Sequence, residues 1–136
     1  ASAWKRLADL CKETDDAVGE MHALVSLCEA PGATLSLVSE IARALHRRFS
    51  ADEVAPGLKD LDPEEKARMF NRVGAVLEAN LDGLSATDCS RLAPLHIHTA
   101  SFKKALEVAE RGLKLRPDHA ECLRLAAILS QRIPQV

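Results

Sequence analysis

Ser101-Phe102-Lys103-Lys104-Ala105-Leu106-Glu107-Val108-Ala109-Glu110-Arg111-Gly112-Leu113-Lys114-Leu115-Arg116-Pro117 reads as one helix with a built-in stop. Ala105, Ala109, Gly112 and Leu113 recur at the three-to-four spacing of a single helical face. Three of those four residues are small, so a neighbouring helix can come close. Gly112 costs about 1 kcal/mol relative to Ala inside a helix, and tight contact is the expected compensation. This face is built for packing, not for catalysis. Pro117 ends the helix by pushing Arg116 out of helical dihedrals. The other helices are expected to stack around this one.

The 136 residues suffice for one domain with a real core. Apolar residues are 47% of the chain, which argues against disorder, yet only 3% are aromatic. Ala and Leu must fill the core, both are strong helix formers, and runs of β-branched residues are missing, so the expected class is all-α. The net charge of −2 gives no overall pull toward nucleic acid. No apolar run has the length of a membrane span, and no signal peptide is visible. A cytoplasmic protein is expected, and the start at Ala1 suggests a piece of a longer chain. Cys11, Cys28, Cys89 and Cys122 lie among apolar residues without zinc spacing, as buried reduced thiols do.

About eight helices are legible. The first spans Ala3 to Glu13, with Trp4, Leu7, Ala8 and Cys11 inward. Thr14-Asp15-Asp16 is a turn and cap. The second runs to Glu29, with Val18, Met21, Leu24, Val25 and Cys28 inward, before Ala30-Pro31-Gly32. The third starts at Thr34 or Ser36 and reaches Phe49, with a basic tail of Arg43, His46, Arg47 and Arg48 that suits a helix C-terminus. Ser50-Ala51-Asp52-Glu53 resembles a capping box opening a short helix to Leu61. Asp62-Pro63-Glu64-Glu65 is the strongest helix start, combining a cap, proline at the first position and first-turn acids. That helix carries Met69, Phe70, Val73, Val76, Leu77 and Leu81 inward and stops at Asp82-Gly83. Ser85 with Asp88 opens a helix to His96, in which Pro94 should force a kink or an early end. The last helix spans Asp118 to Arg132.

Ala105, Ala109, Gly112, Leu113, Leu115 and Pro117 resemble the second helix and exit proline of a tetratricopeptide repeat. Cys89, Leu92-Ala93 and His96 fall where that family's first helix has its large residues and Leu-small pair. The family period of about 34 residues places a further first helix after Pro117, near Leu123, Ala126, Ala127 and Ser130. Trp4, Leu7, Ala8 and Cys11 match a first helix more loosely, and Ala17, Met21, Leu24 and Val25 a second. The resemblance covers residues 86–132 and, weakly, 3–30, whereas 32–82 do not match. It implies a right-handed solenoid of antiparallel helix pairs in a single domain, 1–136. It also implies a partner groove flanking the Leu-small pair, at Lys5, Asp9 and Lys12, at Ser90, Pro94 and Ile97, and at Arg124 and Ile128. Some family members grip a C-terminal carboxylate with a Lys and an Asn one turn apart. Lys5 is followed there by Asp9, which would repel a carboxylate, so that specificity does not carry over.

No cofactor, catalytic or metal site is expected. His96 and His98 sit two residues apart, so a helix points them about 200° away from each other. Phosphate loops, dinucleotide fingerprints, zinc-hydrolase and serine-hydrolase motifs are missing. Arg91 and His96 have the spacing of a helical nuclease motif, but Pro94 intervenes. The reading is a non-enzymatic scaffold binding a peptide, a partner domain or another copy of itself. The alternatives are a regulatory or substrate-recruiting domain of a larger enzyme and RNA binding through Arg43–Arg48. Nucleic acid is disfavoured because no aromatic or glycine residues interleave with those arginines.

Overall fold

A computed structural model gives the fold and describes residues 2–51 and 54–132. The helices are α1 (Ser2–Glu13), α2 (Ala17–Glu29), α3 (Leu35–Ser50), α4 (Pro56–Lys59), α5 (Pro63–Glu78), α6 (Ala86–His98), α7 (Phe102–Leu115) and α8 (Ala120–Arg132). A 3-10 turn, Leu81–Gly83, follows α5, and no strand occurs among the described residues. No described helix is long and apolar enough to cross a membrane.

The caps that the sequence announces are made. The Asp16 side chain accepts the Gly19 N–H at 2.9 Å, Thr34 that of Leu37 at 3.1 Å and Asp62 that of Glu64 at 2.8 Å. Ser85 and Asp88 close a reciprocal box at 3.1 and 3.0 Å. Each satisfies donors that a helix start leaves orphaned. Further on, the expectations and the structure diverge. Ser50 is the last residue of α3 and opens no helix, and only one turn, α4, forms before α5. Asp52 and Glu53 of the expected box lie outside the described residues.

The organising element is α6, not α7. It packs on α3, α5, α7 and α8, whereas α7 packs chiefly on α6 and α8. Nor does Pro94 end α6, which runs on to His98. The missing N–H deprives the Ser90 carbonyl of its donor, and packing on four neighbours holds the helix together across the gap. Gly112 sits where three helices converge. A Cβ there would lie 2.6 Å from Cys122 Sγ on α8 and 3.2 Å from Cys89 Cβ on α6, so the small face of α7 is a contact surface.

One apolar cluster runs from Met21 and Val25 on α2 through Leu45, Phe70, Val73, Leu77, Leu92 and Leu95 to Leu129 on α8. The core residues of α1, Ala8 and Cys11, stand outside it. Because α1 packs on α2, only one narrow stripe of it is covered. Trp4 and Leu7, expected inward, are 41% and 43% exposed, and Leu10 joins them at 56%. On α8 the buried stripe is Cys122, Leu125 and Leu129. Leu123, Ala127 and Ser130 of the repeat pattern are exposed, with Ala126 half-buried.

Candidate binding cleft

A cleft of about 440 Å³ opens between α3, α6 and the start of α8. The basic tail of α3 supplies Arg43, His46 and Arg47 along one wall. Thr87, Ser90, Arg91 and Pro94 of α6 form the floor, and Glu121 of α8 closes the far side. The i, i+4 spacing of Arg43 and Arg47 puts both on one face of α3. Ser90 and Pro94 share a face of α6 for the same reason, so both line the floor. The Ser90 hydroxyl donates to the Thr87 carbonyl at 2.6 Å.

The acidic groups around the cleft are largely committed. Glu121 is held by Arg124 in the next turn of α8, which keeps its carboxyl below the usual carboxylate range. Glu40 receives Arg91 Nη1 at 3.2 Å and lies 3.9 Å from Arg43. Asp88 accepts the Ser85 N–H at 3.0 Å. Burial would raise its pKa, but that bond, hydroxyl bonds from Ser39 and Ser85 and the charge of Arg91 hold it lowered. Arg47, on an exposed rim, has no acidic partner among the described residues.

Behind the cleft the rings of His46 and His98 meet. His46 Nδ1 lies 3.0 Å from His98 Nε2, and Ser50 Oγ lies 3.3 Å from both nitrogens. His98 stacks on Phe70 with 4.3 Å between ring centres, which fixes its plane. Burial depresses the pKa of both rings. For His98 the neighbouring His46 and Lys66 deepen the shift, to about 4. For His46 Arg124 adds to it and Glu121 opposes it. Both imidazoles are therefore neutral at pH 7, and one donates to the other. His96 takes the opposite direction, as the helical spacing requires, and meets Glu78 of α5 at 2.7 Å. Arg91 faces Ser39 and Glu40 instead, so the nuclease-like spacing brings nothing together. No group of three His, Cys, Asp or Glu side chains suited to a metal occurs among the described residues.

The residues inferred from the repeat resemblance are divided among several surfaces. Ser90 and Pro94 line the cleft, and Arg124 borders it through Glu121. Ile97 is half-buried against the core, and Ile128 is 40% exposed on α8. Lys12 lines a second groove with Arg43, Arg47 and Arg48, across which Arg48 meets the buried Glu20 at 3.2 Å. Lys5 and Asp9 are exposed on α1, and Asp9 flanks an apolar dish of Leu7 and Leu10. Thr87 and Glu121 carry no motif that marks them, and the His46–His98 pair spans a separation over which no local pattern operates.

No known family model, curated protein or solved structure matches the chain.

Proposed function

We propose that the protein is a non-enzymatic interaction domain that receives a peptide segment in the cleft between α3, α6 and α8. The observation that carries this reading is the lining of the cleft. The guanidinium-bearing Arg43, Arg47 and Arg91 line it together with Thr87, Ser90 and Pro94, in an open trough of about 440 Å³. Side-chain donors along such a trough suit an extended chain, which offers C=O groups along its length.

A repeat-like solenoid is the architecture we favour, and the helix connections support it. Both stretches that resemble the repeat are helix hairpins with the same link. After α1, the Asp15 and Asp16 N–H groups return to the Lys12 and Cys11 carbonyls. After α6, those of Ala100 and Ser101 return to Ile97 and His96. The geometry of Ser50 and the histidines supports a binding rather than a hydrolytic role. The two ring nitrogens nearest the hydroxyl already face each other, so neither is left as a dedicated base for Ser50.

Peptide display on the folded protein tests the proposal, with Arg43→Trp as counter-selection. Arg43 is exposed on the rim, and an indole there fills the cleft without entering the core. Enriched peptides should bind the parent protein and lose at least tenfold affinity for the plugged variant. Peptides that bind both proteins equally, or no enrichment, would remove the cleft as the binding surface.

A further inference from the structure

We infer that the segment taken by this cleft is acidic, its carboxylates met by Arg43, Arg47 and Arg91, with His46 as a contact that couples binding to proton uptake. The inference rests on the peptide-binding reading and specifies its partner. Charge complementarity is the first argument. Three guanidinium groups line the cleft. Among the described residues the one acid of its lining, Glu121, is tied to Arg124, and Glu40 beside it is shared by Arg91 and Arg43, leaving Arg47 without an acidic partner. Arg91 uses Nη1 for both Ser39 and Glu40, leaving the rest of its fork available for a carboxylate. The adjoining groove adds Lys12 beyond the α3 rim, while Arg48 is paired there with Glu20 and Glu40 also lines it, so the positive surface centres on the cleft itself.

The histidine pair is the second argument. With His46 Nδ1 engaged by His98, the other ring nitrogen of His46 remains for the cleft that it lines. If His46 takes a second proton, its Nδ1–H donates to the lone pair of His98 Nε2, with the His98 proton on Nδ1. The pair thus accommodates one imidazolium without losing its hydrogen bond, and ring stacking on Phe70 holds the acceptor in place. In the free protein burial is what chiefly keeps His46 neutral. Arg124 opposes protonation of His46, Glu121 only partly offsets it, and Lys66 of α5 acts on His98 in the same sense as Arg124. Arg43, Arg47 and Arg91 stand on the cleft side. A bound carboxylate adds negative charge to that of Glu121 and favours the imidazolium. Binding then takes up a proton, and affinity must rise as pH falls.

The test is fluorescence anisotropy with a labelled glutamate-rich dodecapeptide, its glutamine isostere and a thymidine dodecanucleotide. The glutamate peptide should bind, the glutamine peptide at least tenfold more weakly, and the oligonucleotide no better than the glutamate peptide. Affinity should rise about threefold to tenfold from pH 7.5 to 6.0, a range in which glutamate stays ionised. His46→Gln, with its fold checked by circular dichroism, should remove that rise. Arg47→Gln, on an exposed rim, should weaken binding at every pH. Equal binding of the glutamine peptide, abolished by Arg43→Trp, would overturn the acidic partner while leaving the cleft in use. Tighter oligonucleotide binding, or no binding of the glutamate peptide, would also overturn it. A pH dependence that persists in His46→Gln would remove the proton coupling.

Discussion

Gly112 shows how one residue is fixed by what surrounds it. Helix propensity alone favours Ala by about 1 kcal/mol, but the added Cβ would lie 2.6 Å from Cys122 Sγ. Overpacking of that kind costs about 1–3 kcal/mol, so Gly112→Ala should destabilise the protein in urea titrations. Cys122→Ala removes the offending sulfur, and the double variant should be less destabilised than the sum of the two single ones. A neutral or stabilising Gly112→Ala would mean that the contact does not set the choice of glycine. This position is readable in the sequence because a glycine on the packing face of an amphipathic helix points to a close neighbour. The residues behind the cleft are not. His46 and His98 carry no mark of their pairing, and their consequence is seen only in pH. The folded pKa of His98 is depressed to about 4, against about 6.5 in an unfolded chain. The unfolded state therefore binds more protons between those values, and stability is full above pH 6.5 and declines as pH falls toward 4. The lowered carboxyls of Glu29, Asp88 and Glu121 lose their contribution lower down, below the ordinary carboxylate range. Thermal melts of His98→Gln should thus show a smaller drop in Tm from pH 7 to 5 than the parent protein. An identical drop in both would place the titration elsewhere.

At the level of elements, the caps are the most legible feature because a cap is a local hydrogen bond between residues two or three apart. Asp16, Thr34, Asp62 and Ser85 each start a helix where their side chains reach the first free N–H groups. The end of α6 is illegible for the complementary reason. A proline is a local signal, whereas the packing of α6 on α3, α5, α7 and α8 is not. The true end comes at Ala100, which adopts φ 57°. Its N–H returns to the Ile97 carbonyl at 3.0 Å and that of Ser101 to His96 at 2.8 Å. This is the Schellman arrangement, which usually places glycine at the left-handed position. An L-residue with a Cβ pays about 1–2 kcal/mol there, partly offset by the greater unfolded-state freedom of glycine. Ala100→Gly should therefore stabilise the protein by about 0.5–1 kcal/mol in urea denaturation. A loss of stability would show that the methyl group makes a compensating contact.

The whole molecule is less uniform than its chain of helices suggests. The apolar cluster that joins α2 to α8 stops short of α1, and among the described residues α1 packs principally on α2. Sequence periodicity could not reveal this, since Trp4, Leu7, Ala8 and Cys11 form a proper helical face. A face predicts that something covers it, not how much of it is covered. Here α2 covers Ala8 and Cys11 and leaves Trp4, Leu7 and Leu10 exposed. Elements with few buried apolar contacts open at lower free energy than the core, so α1 should detach before the rest unfolds. The chain contains one tryptophan, and it lies on α1, which makes the separation measurable without labels. In urea, the fluorescence of Trp4 should change at lower denaturant than the far-ultraviolet circular dichroism, whose signal comes from all the helices. Hydrogen exchange should give the same order, with α1 amides losing protection before those of α6. Leu58, Met69 and Leu92 belong to one continuous cluster with Leu129, so the dichroism transition of the remainder should be single and cooperative. Coincident fluorescence and dichroism transitions would mean that the α1–α2 contact is strong enough to bind α1 into that unit, and the exposed Trp4 face would then need a cause besides local opening.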